Sequence, residues 1–201
     1  MSSYKYIFEI IEEDWKRYPY KKLYCLQNME IKVKEILRKI NNRNNKKDKK
    51  VTSTISLILI SLTGLCPAFT YVFWFRLAGL NGIMGLVSKF KHRRLSQKYG
   101  VYIPRNTSIG GGLVIWHPIS IVINPKVIIG KNCDLFQMVT IGEWNHSAAS
   151  IGDNVYIGPN TSIVGGVTIG NNVKIGSGTV VIKDIPDNCT SVGNPNRNIF
   201  K

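Results

Sequence analysis

The chain has 201 residues and sets 27 Lys and Arg against 12 Asp and Glu, a formal net charge of +15. This is enough length for one domain with its own core. The four cysteines, Cys25, Cys66, Cys133 and Cys189, show no pairing rhythm and no Cys-x-x-Cys spacing, which argues against a disulfide framework or a zinc site, and no nucleic-acid motif accompanies the basic charge.

In chain order, residues 4–18 predict an amphipathic helix. Ile7, Phe8, Ile10, Ile11 and Trp15 form its apolar face, and Pro19 stops it. Glu9, Glu12, Glu13 and Asp14 are acids that a secretory leader would avoid, so a cytoplasmic location is expected. A second helix is predicted over about residues 26–40, from Met29, Val33, Ile36, Leu37 and Ile40. A basic, low-complexity run at 39–50 follows, and then a stretch at 51–75 without a charged residue. A buried helical pair is the favoured reading of that stretch. A membrane-spanning helix is one alternative, and a segment lying on the inner membrane face beside its basic flanks is the other. A second basic run, 89–94, closes a helical N-terminal region assigned to residues 1–100.

From 101 to 201 the pattern changes. Ile151, Ile157, Ile163, Ile169, Ile175 and Val181 recur every six residues, and Gly152, Gly158, Gly170 and Gly176 follow four of them. Val155, Thr161, Val167, Val173 and Thr179 form a second small or β-branched set. The hexad continues upstream as Ile103, Ile109 and Ile115 and, two residues out of phase, as Ile123, Ile129, Leu135 and Ile141. A period of six is neither helical nor a simple alternation. It marks a solenoid whose units bury their faces against one another, with three hexads to a triangular coil. Gly after the lead residue suits a corner that needs positive φ or a crowded backbone, and Asn154, Asn160, Asn171 and Asn172 suit left-handed corners. Cys133 falls at an interior place. The phase breaks twice, between Ile115 and Ile123 and between Ile141 and Ile151, and each break holds a histidine, His117 and His146.

The stretches Ile109-Gly-Gly-Gly-Leu-Val-Ile-Trp-His117, Cys133-Asp-Leu-Phe-Gln-Met-Val-Thr-Ile-Gly142, Lys174-Ile-Gly-Ser-Gly-Thr-Val-Val-Ile-Lys183 and Val192-Gly-Asn-Pro-Asn-Arg197 resemble the hexapeptide-repeat acyltransferases. Within them the likeness is to serine acetyltransferases and to the related capsule and O-antigen O-acetyltransferases. The resemblance implies a mainly β fold, a left-handed parallel β-helix after an N-terminal helical region. It also implies acetyl-CoA as cosubstrate, a direct ternary-complex reaction, and a homotrimer with sites between neighbouring prisms.

It further implies that His117 is the general base for an acceptor hydroxyl, a role that suits an imidazole near neutral pH. Serine acetyltransferases usually carry an Asp before this histidine to help hold the amino-acid acceptor, but this chain has Trp116. Their long Gly-rich loop with Arg-His-Pro is shortened here to residues 143–150. Both departures favour a saccharide hydroxyl as acceptor, with Trp116 and Trp144 as stacking surfaces. Free serine is the alternative acceptor, and a non-catalytic assembly protein is the alternative class. His146 and Glu143 are candidates to assist catalysis, and Glu143 or Asp134 could orient the imidazole. For coenzyme A, the resemblance points to Gly158, Gly176 and Ser177 for the pantetheine arm, and to Lys174, Lys183 and Arg197 for the phosphates. No metal is required, since His117 and His146 lack a carboxylate or thiolate cluster of ligand spacing, and the third histidine, His92, lies outside the repeat.

Overall fold

The structure is a computed structural model. It describes residues 3–18 and 66–200, with positions 57, 58, 60–62 and 64 between them. The helix expected at 26–40, the basic run at 39–50 and the first part of the charge-free stretch lie outside the described residues.

The repeat folds as a left-handed β-solenoid of three sheets, parallel except for the last strand of the second, with strands numbered in chain order. The first face stacks β1 (Ser108–Ile109), β4 (Ile128–Ile129), β7 (Ser150–Ile151) and β10 (Thr168–Ile169). The second stacks β2 (Val114–Ile115), β5 (Asp134–Leu135), β8 (Tyr156–Ile157), β11 (Lys174–Ile175), β13 (Cys189–Val192) and β14 (Arg197–Phe200). The third stacks β3 (Val122–Ile123), β6 (Thr140–Gly142), β9 (Ser162–Val164) and β12 (Val180–Val181). The lead residues line up from coil to coil, for example Ile115, Leu135, Ile157 and Ile175, and all are buried. The smaller set from Val155 to Thr179 shares that interior, as does Cys133.

The corners divide the work that the sequence left to Gly and Asn together. Gly110 and Gly152 have ordinary φ but are packed so tightly that a Cβ would lie 2.7 Å from the Gly130 carbonyl oxygen and 2.9 Å from the Gly170 carbonyl carbon, respectively. Close backbone approach, not positive φ, requires glycine there. Positive φ falls instead on Asn132, Asn154, Asn160, Asn172 and Asn188. Four of these form a ladder of side-chain bonds, Asn132 to Asn154 (3.0 Å), Asn154 to Asn172 (3.1 Å) and Asn172 to Asn188 (3.0 Å). Asn171, expected among the left-handed corners, is not one. Its side-chain oxygen accepts the Asp153 backbone N–H at 2.8 Å.

Helices α1 (Ser3–Arg17), α2 (Pro67–Ala78) and α3 (Gly82–Tyr99) close the top of the prism. Ile11, Asp14, Trp15 and Tyr18 are the buried stripe of the first segment, at helical spacing. Residues 68–78 of α2 are buried on every side, which explains the absence of charge from the later part of 51–75. The single cation of α2, Arg76, is paired with Asp14 at 2.9 Å. Among the described residues no helix is long and apolar enough to cross a membrane.

An open edge of β2 would leave backbone donors unpaired. Asp14 Oδ1 accepts the Leu113 N–H at 2.8 Å, and the Tyr18 hydroxyl accepts the Ile115 N–H at 3.0 Å, so α1 completes that edge with side chains. At the other end β14 turns back antiparallel to β13 and covers the last coil.

Candidate active site

The first phase break is the corner between the second and third faces, residues 116–120, with Ser120 at φ 50°. His117 is exposed there, its carbonyl accepts the Ile119 N–H at 2.8 Å, and among the described residues no side chain bonds its imidazole. The ring is therefore open to a reacting group. The corner hangs from the helical cap, because the Ser120 N–H donates to the Tyr99 carbonyl at 3.2 Å.

Below His117 the same corner repeats in each coil. Met138 N–H donates to the Ile119 carbonyl (3.0 Å), Asn160 N–H to that of Gln137 (3.0 Å) and Gly178 N–H to that of Pro159 (2.9 Å). Gly158, Gly176 and Ser177 therefore lie on one line with His117, and the Gly176 coil is about 14 Å below it at the usual strand spacing. Arg197 pairs with Val192 of β13, the strand next below Gly176, and extends the line to the end of the prism. Lys174 lies two residues before Gly176 on the second face and is exposed. Lys183 is round the edge after β12, its backbone N–H held by Asn196 at 3.2 Å. The six residues expected for coenzyme A thus divide into four on the line of His117, one beside it and one off it.

Trp116 stacks on Phe136, with centroids 5.4 Å apart and planes 13° apart, and Phe136 meets Tyr156 at 5.0 Å. This aromatic ladder was not singled out in the sequence. Its signal was the 20-residue interval from Trp116 to Phe136, one 18-residue coil plus the two-residue slip. Asp134 does not orient His117. One oxygen accepts the Trp116 indole N–H at 3.3 Å and the other pairs with Arg17 at 2.9 Å.

The second phase break is a two-residue hairpin between the third and first faces. Trp144 and Ser147 exchange both backbone bonds at 3.0 Å, and Asn145 and His146 occupy the turn at φ 47° and 60°. Gly165 and Gly166 of the next coil make room for it, since a Cβ at Gly166 would lie 2.6 Å from that of Ser147. Trp144 is exposed and the His146 side chain is 99% exposed. His146 Nδ1 lies 4.0 Å from Glu143, which bonds Lys126 Nζ at 2.5 Å and Asn124 at 3.2 Å. The hydrogen bond from Lys126 is the main reason the Glu143 carboxyl sits below the usual carboxylate range. Within one chain, then, His146, Glu143 and Trp144 stand at a different corner from His117 and do not join it. Among the described residues no group of three His, Cys, Asp or Glu is placed to hold a metal ion.

Residues 148–183 match the family model of the bacterial transferase hexapeptide (six repeats). Among curated relatives, the serine acetyltransferase of Synechococcus elongatus is 36% identical over 106 residues, 51% of this chain and 43% of its own. The mitochondrial serine acetyltransferase 3 of Arabidopsis thaliana is 39% identical over 108 residues, 52% of this chain and 28% of its own. The chain thus spans less than half the length of these relatives. Among solved structures, Neisseria gonorrhoeae serine acetyltransferase in complex with serine superposes with a TM-score of 0.68 at 25% identity, covering 97% of this chain and 69% of that one. Soybean serine acetyltransferase complexed with serine gives 0.60 at 30% identity, covering 67% and 58%. All four are serine acetyltransferases, and none comes from the capsule or O-antigen branch.

Proposed function

We propose that the chain is an acetyl-CoA-dependent O-acetyltransferase with His117 as general base and L-serine as its acceptor. The observation that carries the reading is the alignment of the open His117 imidazole with Gly158, Gly176, Ser177 and Arg197 along one corner. The serine acetyltransferases among the relatives support the acceptor. In the reaction the serine hydroxyl oxygen attacks the thioester carbon while His117 takes its proton. The carbon–sulfur bond then breaks, and the imidazolium returns the proton to the departing thiolate. Arg197 and Lys174 suit phosphate. The Gly158 and Gly176 N–H groups already donate to the Ile175 and Ser191 carbonyls, and the two glycine carbonyls accept the Thr161 and Thr179 hydroxyls, so these glycines would shape the groove wall and not bind the pantetheine amides themselves. Assembly as a trimer is part of the proposal, because it would set the hairpin corner of one chain against the His117 corner of the next.

A second acceptor class is favoured by one observation. Trp116 presents an aromatic ladder where a carboxylate would hold an ammonium, and nearby Asp134 is already paired with Arg17. That surface suits a saccharide hydroxyl. Release of free coenzyme A, measured with L-serine and then with a sugar panel, separates the two. Turnover with serine that disappears in His117→Ala supports the first reading. His117-dependent turnover with sugars alone supports the second, and coenzyme A release that survives His117→Ala overturns the assignment of the base.

A further inference from the structure

One surface of the cap has no counterpart in this chemistry. Helix α3 buries Gly85, Ser88 and His92 against its neighbours, and its opposite side carries Ile83, Leu86, Val87 and Phe90, which are 84%, 70%, 46% and 60% exposed. These four recur at i, i+3, i+4 and i+7, so they form one continuous apolar stripe along the N-terminal half of the helix. Isolated exposed apolar residues need no explanation, but a stripe of this size on one helix face does. The C-terminal half of α3 is cationic, with Lys89, Lys91, Arg93, Arg94 and Lys98, and the helix contains no acid. Lys89 and Arg93 also line a cleft of about 520 Å³ together with Arg105 from the first coil. Among the described residues none of these three cations has an acidic partner.

We propose that this face of α3 docks on an anionic phospholipid bilayer, with Ile83, Leu86, Val87 and Phe90 entering the interface and the flanking cations meeting headgroup phosphates. Charge selects this occupant. A second copy of the chain packed along α3 in the same direction would set one cationic half-helix against another. Residues 19–56 of this chain hold many more Lys and Arg than Asp and Glu, the same sign of charge as that half-helix. The proposal moves membrane contact from the charge-free stretch, whose later part is buried in α2, to the face of the next helix. It is independent of the reaction proposed above.

The test is flotation of the purified 201-residue chain with vesicles of phosphatidylcholine alone and with added phosphatidylglycerol. Binding is expected only to the anionic vesicles, with loss at high salt. Leu86→Glu/Phe90→Glu should weaken it by about tenfold or more, with circular dichroism and molar mass unchanged. Leu86→Ala/Phe90→Ala serves as a neutral second variant in case the added acids act only by charge, and it should weaken binding in the same direction. Three results would overturn the proposal: no binding to anionic vesicles, full binding by both variants, or a drop in molar mass in the variants that marks the face as a contact between chains.

Discussion

Asp14 and Arg76 meet as a two-pronged pair, Nε to Oδ2 at 2.9 Å and Nη2 to Oδ1 at 3.2 Å, on a carboxylate that has no solvent exposure. Arg76 gives two further N–H donors to the carbonyls of Ile109 and Gly110, each at 2.6 Å, and Asp14 also accepts the Leu113 N–H. Two helices and the first coil are therefore joined through one ion pair. Burial pushes the Asp14 carboxyl up in pKa against the opposing pull of Arg76. Removing one partner strands a buried charge, which generally costs about 3–5 kcal/mol. Asp14→Ala is expected to lower the urea midpoint accordingly. Asp14→Leu/Arg76→Met, which removes both charges, is expected to lose less than either single change.

That pair was not legible in the sequence, although the hexad was. The period declares itself because each lead residue meets its equivalent one coil away, so packing and spacing carry the same information. Asp14 lies 62 positions from Arg76 and reads locally as one more acid on a helix that already holds Glu9, Glu12 and Glu13. Trp116, Phe136 and Tyr156 are an intermediate case. Their stacking follows once the phase slips are laid onto the coils, but not from any single stretch. The hairpin corner shows the limit for the site itself, since His117 and His146 were each marked by a phase break while the faces they join depend on strand register.

Glycines at the corners give a graded test of coil stacking. Gly152→Ala would force a Cβ to within 2.9 Å of the Gly170 carbonyl carbon and should destabilise the chain by about 1–3 kcal/mol, the usual range for overpacking. Gly142→Ala meets nothing within 4 Å at an ordinary φ, so its thermal midpoint should match or slightly exceed that of the parent chain. Equal losses at the two positions would show that crowding between coils is not what requires glycine.

The pH profile of stability should carry the signature of His92. Burial pushes its imidazole down to about 4, and its Nε2 lies 3.0 Å from the Tyr71 hydroxyl, itself pushed up to about 12 by burial. Between the ordinary value of 6.5 and 4 the unfolded chain binds a proton that the folded chain refuses. Stability is therefore intact above 6.5 and falls as pH drops towards 4, by about 2 kcal/mol once the full shift is discounted for the solvent that reaches the ring. Urea unfolding at several pH values should show this slope in the parent chain and a shallower one in His92→Gln.

His117 and His146 stand at different corners of one prism, and this makes the proposed sharing of a site between chains testable without a structure of the assembly. His117→Ala should reduce coenzyme A release by about 10²–10⁴-fold, the usual range for loss of a general base, with the fold unchanged because the side chain is exposed. If His146→Ala is also impaired, the two inactive variants can be co-expressed. Were both residues required from the same chain, no mixed trimer would contain an intact site. If one comes from each neighbour, random assembly at equal expression should restore about a quarter of the sites. Recovery near that level supports a site built between chains. No recovery from two impaired variants sinks it, and a fully active His146→Ala removes His146 from the reaction and leaves His117 to act without it.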